Sequence, residues 1–210
     1  MLRDGSISVV RQERLRNTFE TGVGESRRME ANSVAFTIRR ADEADLEAIN
    51  RIYNLEIEQG TATWDLEPWT IEQRRTWFAG HGELTPVLIA EQDGKVAGFA
   101  YVTLVSAKAG WRFTREDTIY IDGRFRGQRV GDRLLAALLD TVREMGVRLV
   151  IASITSTNEA SIRLHAKYGF EVMGEMKNAG YKFGQWMNTT YMQVDLGEPD
   201  TDRATWPVRR

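Results

Sequence analysis

The residues best suited to bind an anion lie in the segment IYIDGRFRGQRVGDRLLAALL, at positions 119–139. The segment begins with the alternating pattern of a β-strand and ends with the periodicity of an α-helix, and Gly127 and Gly131 lie between. A strand that turns through glycine into a helix leaves several backbone N–H groups unpaired, and the helix dipole adds positive potential there. The junction therefore suits a phosphate or pyrophosphate group, and Arg124, Arg126 and Arg129 could add positive charge.

Other interpretations of this junction compete with a pyrophosphate site. A P-loop requires Gly-Lys followed by Ser or Thr, whereas Gly131 is followed by Asp132. The junction also lacks the G-x-G-x-x-G pattern of dinucleotide-binding folds. Two isolated glycines between a strand and a helix are, on their own, more typical of an ordinary turn with solvated arginines. The neighbouring sequence has to decide between these interpretations.

The composition excludes several classes of function. Lys and Arg total 28 against 30 for Asp and Glu, a net charge of -2, so no overall basic field attracts nucleic acid or anionic lipid. The chain has no cysteine and only two histidines, His81 and His165, which argues against thiol chemistry and against a metal centre. We therefore expect no metal, nucleic-acid or membrane partner, and the lack of cysteine fits a reducing cytoplasm.

The periodic segments from Val34 onward follow the order strand, two helices, three strands, helix, strand, helix and two strands. This order predicts an α/β (α+β) fold with a mixed, mostly antiparallel central sheet and helices on both faces. Residues 33–197 are expected to form this single domain. Residues 1–32 and 198–210 are expected to be a flexible extension and tail, and Met29 is an alternative start of the chain.

Several motifs, in order, resemble one family. RGQRVGDRLL resembles the acetyl-CoA loop of the GNAT superfamily of N-acetyltransferases, and STNEASIRLHAKYGFEVMGEMKNAGYKFGQW resembles its C-terminal half. IYNLEIEQGTATWD, RFTREDTIYI and GYKFGQW resemble segments of the phosphinothricin acetyltransferase branch, which also acetylates methionine sulfone and sulfoximine. The resemblance covers residues 36–196. It implies a GNAT-type fold, acetyl-CoA as co-substrate, an amino-acid-like amine as acceptor and a cytoplasmic homodimer.

The resemblance also assigns cofactor-binding residues. Backbone groups of Ile119, Tyr120 and Ile121 would bind the pantetheine arm and the thioester oxygen, and Asn158 would donate a hydrogen bond besides capping its helix. The pyrophosphate would lie on Arg126, Gly127, Gln128, Arg129, Val130, Gly131 and Asp132. Arg129 stands where the family has its middle glycine. We expect its backbone N–H to face the pyrophosphate only with a negative φ and an outward side chain.

The catalytic residues implied by the resemblance are Glu116 and His165. Acetyl transfer from a thioester to an amine requires removal of an amine proton, stabilisation of the carbonyl oxygen and protonation of the leaving thiolate. Glu116 occupies the position of the general base, ahead of its neighbour Asp117. His165 occupies the position of a tyrosine that protonates the thiolate in much of the superfamily, and it is either that acid or a substrate contact.

For the acceptor, an amino acid analogue needs a cation, polar donors and aromatic walls, and Trp111, Arg112 and Lys182 are the candidates. Two other functions remain open. The same fold could acetylate a peptide N-terminus, a polyamine or an aminoglycoside. The chain could also be a non-catalytic acyl-CoA-binding module, for which Arg129 is the one hint, although Glu116 and GYKFGQW favour an enzyme.

Overall fold

The structure, a computed structural model, describes residues 36–198. Seven strands form one sheet in the order β1-β2-β3-β4-β5-β7-β6. These strands are Thr37–Arg40 (β1), Val87–Gln92 (β2), Lys95–Leu104 (β3), Thr114–Ile121 (β4), Leu149–Thr155 (β5), Glu171–Lys182 (β6) and Gln185–Asp195 (β7). The α-helices of this region are Leu46–Gln59 (α1), Ile71–Ala79 (α2), Val130–Glu144 (α3) and Glu159–Lys167 (α4). Residues 1–32 and 199–210, within the expected extension and tail, lie outside the described residues.

The predicted order of elements and the predicted mixed sheet are confirmed. Every pair of neighbouring strands is antiparallel except β4 and β5, which run parallel. The turn between β2 and β3 places Asp93 and Gly94 at φ values of 50° and 70°. Two consecutive positive φ values are what a tight two-residue hairpin turn requires, so the Asp-Gly pair fixes the register of this hairpin.

Helices cover both faces of the sheet because each helix buries one apolar stripe. On one face, α3 packs Leu134, Leu138 and Val142 against alternate residues of the central strands, including Ala100 and Val150. On the opposite face, a second core joins α1 to the other side of the same strands, through Leu46, Ile49, Ile52, Ile57, Val87, Ile89, Phe99 and Tyr120. Side chains on the two faces of β4 therefore pack into two separate hydrophobic cores.

Arg74 of α2 ties this second core together through its aromatic neighbours. Its guanidinium is buried and lies 4.6, 4.4 and 4.6 Å from the ring centres of Tyr53, Trp69 and Trp77. The Nε atom donates to Asn50 Oδ1 at 3.3 Å. Burial lowers the pKa of Arg74, and the three ring faces attract the buried cation in place of a carboxylate. The contact holds α1, α2 and the loop between them in one arrangement.

The loop between β4 and α3 carries an unusual backbone conformation at Arg129. This residue is the N-cap of α3, with φ +62° and ψ +23°, and Gly127 two residues earlier has φ +78°. The negative φ that was set as the condition for an inward-facing Arg129 N–H is therefore not met, and Arg129 instead has the left-handed backbone that a glycine adopts readily. The buried leucines anchor α3, and the sheet anchors β4. The loop that joins them therefore requires a left-handed backbone at this position, which glycine adopts easily and which is strained for Arg129.

Relief of this strain gives a stability prediction. An L-residue in the left-handed region costs roughly 1–2 kcal/mol, and a glycine there costs much less. We expect Arg129→Gly to unfold at a higher urea concentration than Arg129→Ala, by about 1 kcal/mol in the free energy of unfolding. Arg129→Ala is the matched control, since it removes the same charge and keeps the Cβ atom. Equal stability of the two variants would show that the backbone is not strained.

Candidate active site

The candidate site lies where β4 and β5 separate. The two strands pair over four positions, from Thr114 with Leu149 to Asp117 with Ala152. Beyond this point β4 continues to Ile121 along β3, and β5 continues to Thr155 along β7, but the two no longer pair with each other. The edge of β4 that faces β5 is left open over residues 118–121. Backbone groups on this open edge are free to bind a ligand lying between the strands.

Glu116 reaches this gap from the face covered by α1 and α2. It lies on the same face of β4 as Tyr120, whose ring packs in the core beneath α1. Ser153, on the facing strand β5, donates its hydroxyl to Glu116 Oε1 at 2.6 Å. The half-buried carboxylate lines a cavity of about 100 Å³ that His165 also lines. Glu116 is thus oriented by a neighbouring strand and remains open to the gap.

His165 reaches the gap from the opposite face, on α4. The helix begins at Asn158, whose Oδ1 accepts from the Ser161 backbone N–H at 3.2 Å. The His165 ring is 2% exposed; its Nε2 lies 3.1 Å from Asp117 Oδ2, and its Nδ1 lies 2.7 Å from the Ser161 carbonyl oxygen. Burial lowers the pKa of His165, but Asp117 and the Ser161 carbonyl outweigh burial, so the pKa is raised.

A larger cleft of about 840 Å³ adjoins this cavity and extends to the N-terminus of α3. The structure brings almost all the predicted cofactor-binding residues to its walls: Ile119, Tyr120, Ile121, Arg126, Gly127, Arg129, Val130, Gly131, Asp132 and Asn158. Gln128 lies in the same loop but turns its side-chain amide to the Arg124 carbonyl, at 3.3 Å. The opposite wall is the end of α1 and the loop after it, residues 55–62. The cleft has the volume and the loop geometry for an extended phosphate-bearing ligand.

Charges around the cleft are largely paired. Arg124 and Arg51 both contact the buried Asp122, at 2.6 and 2.7 Å. Hydrogen bonds from Arg124 hold the pKa of Asp122 well below its usual range, with help from Arg51. Asp132, in the first turn of α3, is paired with Lys167, so its charge does not oppose an anion at this helix end. Within residues 36–198, Arg129 makes no ion pair and is the loop cation left available.

A second cation of the loop faces the opposite wall of the cleft. Arg126 lies 3.4 Å from a carboxylate oxygen of Glu56, and Glu56 also accepts from the Ala62 backbone N–H at 2.9 Å. The exposed side chain of Arg126 makes this a weak contact. It bridges the end of α1 and the glycine loop across the cleft and can open without large cost.

The predicted acceptor-site residues do not gather at one point. Trp111 and Arg112 lie in the β3–β4 connection, where the Arg112 guanidinium stacks 4.2 Å from the Phe113 ring centre. Lys182 is 3% exposed, and its ammonium donates to the backbone carbonyls of Thr63, at 2.8 Å, and Glu56, at 3.4 Å. Burial lowers the pKa of Lys182. None of these three side chains lines the gap or the adjoining cleft.

Three residues of the site were not among the predicted site residues. Asp117 and Ser161 hold His165, and Ser153 holds Glu116. The sequence indicates Asp117 only as a less favoured base than Glu116. Its position next to Glu116 on a strand does indicate that it faces the opposite side of the sheet, but nothing in the sequence indicates that α4 places a histidine there.

Two kinds of feature are absent from the described region. Residues 36–198 contain no group of three or more His, Cys, Asp or Glu side chains arranged to hold a metal ion. Within the same range, no helix combines the length and the apolar character needed to cross a bilayer.

Comparisons with known proteins agree with this geometry. The sequence profile of the acetyltransferase (GNAT) family matches residues 49–170. The L-methionine sulfoximine/L-methionine sulfone acetyltransferase of Salmonella typhimurium is 38% identical over 163 residues, covering 77% of this chain and 95% of that protein. The phosphinothricin N-acetyltransferase of Alcaligenes faecalis is 38% identical over 169 residues, covering 80% of this chain and 86% of that protein.

A solved structure shows the same fold with its acyl donor bound. The crystal structure of a GNAT superfamily phosphinothricin acetyltransferase from Sinorhizobium meliloti, in complex with acetyl-CoA, superimposes with a TM-score of 0.75 at 35% identity. It covers 83% of this chain and 94% of that one. The family match includes β4, the glycine loop and α4, the elements that build the gap and the cleft. The chain therefore belongs to the GNAT acetyltransferase family and is an N-acetyltransferase.

Proposed function

We propose that the protein transfers the acetyl group of acetyl-CoA to the amine of a small amino-acid-like substrate of the phosphinothricin, methionine sulfone or methionine sulfoximine type. The observation that carries this proposal is the gap between β4 and β5, where Glu116 meets the open edge of β4 at the end of the long cleft. The substrate class follows the names of relatives that match most of the chain. The absence of cysteine supports a cytoplasmic location.

The cleft fits acetyl-CoA through backbone groups more than through side chains. The backbone N–H groups of Gly127 and Arg129 and those at the start of α3 have no backbone acceptor within the described residues and suit the pyrophosphate. Those of Arg126 and Gln128 donate instead to Gly123 and Phe125. A Cβ atom added at Gly127 would meet no other atom within 4 Å, so the space beside this glycine is open. Ile119, Tyr120 and Ile121 offer the unpaired edge of β4 to the pantetheine amides and to the thioester oxygen, and Asn158 adds a side-chain amide.

The reaction proceeds by direct attack of the amine nitrogen on the thioester carbonyl carbon. Glu116 accepts the amine proton, directly or through water, as the new C–N bond forms. Backbone N–H groups on the open edge of β4 stabilise the negative charge on the carbonyl oxygen. The C–S bond then breaks, its electron pair goes to sulfur, and His165 supplies the proton that converts the thiolate to the thiol. No covalent enzyme intermediate is required.

The acceptor would be oriented from the β3–β4 connection. Neither Arg112 nor Trp111 lines the gap, so the acceptor must extend beyond the gap for Arg112 to bind a substrate carboxylate and for Trp111 to form an aromatic wall. Lys182 supports the site differently, because its ammonium is satisfied by two backbone carbonyls of the α1 end and its loop. These two hydrogen bonds of Lys182 hold in place the wall of the cleft that contains Glu56.

The protein is proposed to form a homodimer through the β6–β7 hairpin. β6 is an edge strand of the sheet, and it exposes large apolar side chains that include Val172, at 61%, and Met176, at 50%. Trp186 of β7 is 65% exposed. In β6, Glu171 is the first residue and Lys177 lies near the middle, so an antiparallel pairing of two copies that sets Glu171 opposite Lys177 brings unlike charges together.

Release of CoA in the presence of different amines tests the proposed reaction. The cysteine-free chain gives no background with thiol reagents, so free CoA can be followed directly. We expect turnover with methionine sulfone, methionine sulfoximine or phosphinothricin. Turnover confined to peptides, polyamines or aminoglycosides would instead support a GNAT enzyme for another amine. Tight acetyl-CoA binding without turnover of any amine would support a non-catalytic acyl-CoA-binding module.

Replacement of Glu116 tests the assigned base. An α-amine is mostly protonated at neutral pH, with a reference pKa of about 8 in peptides, so a base assists its attack. We expect Glu116→Gln to lower kcat by about 10²–10⁴-fold with little change in the KM for acetyl-CoA. The deficit should shrink as the pH approaches the pKa of the amine. Glu47→Gln, an exposed carboxylate of α1, is the matched control. A near-normal kcat for Glu116→Gln from pH 6 to 9 contradicts the assignment.

Sedimentation of a charged variant tests the dimer. We expect the wild type to sediment as a dimer and the double variant Val172→Glu/Met176→Glu to sediment as a folded monomer, because buried like charges oppose association. Leu66→Glu alters an equally exposed apolar residue outside β6 and β7 and should remain dimeric. A monomeric wild type at micromolar concentration would exclude this assembly.

A further inference from the structure

The pair formed by Asp117 and His165 is the most deeply buried titratable contact of the site. The two side chains are 1% and 2% exposed, and they join β4 to α4 through Nε2 and Oδ2 at 3.1 Å. Phe170 closes the far side, with its ring edge-on to the imidazole at 4.9 Å between centres. The pair lines the cavity that Glu116 enters from the opposite face of the sheet. It is therefore placed beside the reaction without being solvated.

The hydrogen-bond partners of the ring fix where its protons are. Nδ1 lies 2.7 Å from a backbone carbonyl, that of Ser161, which can only accept, so Nδ1 carries hydrogen. Nε2 faces a carboxylate oxygen, so a proton must lie between these two atoms. Without it, a nitrogen lone pair and a carboxylate would face each other in a buried position. The pair thus retains one dissociable proton at the wall of the gap.

Two details of the contact between Asp117 and His165 concern its hydrogen-bonding capacity. The Nε2···Oδ2 distance of 3.1 Å is within the ordinary range of N–H···O hydrogen bonds and longer than the usual charge-assisted bond of about 2.7–2.9 Å. The other carboxylate oxygen, Asp117 Oδ1, is buried and accepts no hydrogen bond from any residue between 36 and 198. A buried acceptor without a donor marks a place where a ligand N–H or a water molecule is expected.

We propose that Asp117 is a positioning residue that, with the Ser161 carbonyl, fixes the His165 ring so that the Nε2 proton is held at the gap and delivered to the departing CoA thiolate. The inference deepens the proposed acetyl transfer and rests on it. As the C–S bond breaks, the electron pair left on sulfur takes the Nε2 proton. His165 becomes neutral, and its lone pair then faces the Asp117 carboxylate, an unfavourable contact that favours the return of a proton to Nε2 through the gap.

Few other titratable groups line the gap and could influence the protonation of the His165 ring. The titratable groups lining the gap in the described region are Glu116, Asp117, Tyr120 and His165. Glu116 lies on the opposite face of β4, and burial raises the pKa of Tyr120 well above its usual value, so it stays neutral. The raised pKa of His165 means that the pair stabilises the fold fully below the ordinary histidine pKa of about 6.5. This stabilisation is lost as the pH rises through the higher folded value.

Nuclear magnetic resonance of ¹⁵N-labelled histidine tests the protonation without reference to activity. The chain has only two histidines, and His81→Asn leaves the signal of His165 alone. In the otherwise wild-type protein we expect both ring nitrogens of His165 to remain protonated at pH 7. In Asp117→Asn we expect Nε2 to lose its proton at a lower pH, since the carboxylate is gone. A His165 ring that is neutral at pH 7 with Asp117 present overturns the inference, whether or not any amine is acetylated.

Kinetics test whether Asp117 acts through His165. We expect Asp117→Asn to lower kcat by about 10-fold to 10²-fold, less than the loss expected for Glu116→Gln, with the KM for acetyl-CoA nearly unchanged. His165→Asn should cost at least as much, and Asp117→Asn should add little in the His165→Asn background. Equal losses from Asp117→Asn in both backgrounds would show that Asp117 does not work through the histidine. Ser153→Ala removes the hydrogen bond to the Glu116 carboxylate and should leave the His165 signal unchanged.

Discussion

The site depends on a single constraint in the sheet, the short parallel pairing of β4 and β5. Four residue pairs hold the two strands together, and both strands then continue along other partners without touching. Because backbone polar groups seek hydrogen bonds, the unpaired edge of β4 is the natural place for a ligand that carries its own amide groups. The glycine loop, α3 and α4 all begin at the open end, so the chain places its anion site and its catalytic side chains around the same opening.

The alternation of side chains along β4 explains how acid and base chemistry can meet there. Glu116 and Asp117 are adjacent in sequence and point to opposite faces of the sheet. In a continuous sheet they would be separated by backbone, but at the gap both faces open into the same cavity. Glu116 is held by Ser153 of β5, and Asp117 is held against His165 of α4. A base from one face and an acid from the other can thus act on one substrate.

The sequence predicted the elements well and their side-chain contacts less well. The periodicity of α3, the Asp-Gly turn and the glycines of the cofactor loop each have a local physical cause, and the structure has them where they were expected. The left-handed backbone of Arg129 is different, because it results from two anchored elements that the loop must join. Lys182 likewise points inward to the carbonyls of Thr63 and Glu56. Such contacts join residues far apart in the chain, and composition or spacing does not indicate them.

The parallel junction also bears on how the chain folds. β2, β3 and β4 pair in chain order as antiparallel neighbours, and β6 and β7 form a hairpin that β5 joins. The pairings of β2 with β3, of β3 with β4 and of β6 with β7 close short loops, whereas β4 and β5 meet only after α3 has crossed the sheet. The two halves of the sheet can therefore form before they are joined. The reactive gap lies at the junction of these two halves, so we expect partial opening of this junction to remove the site while the pairings within each half persist.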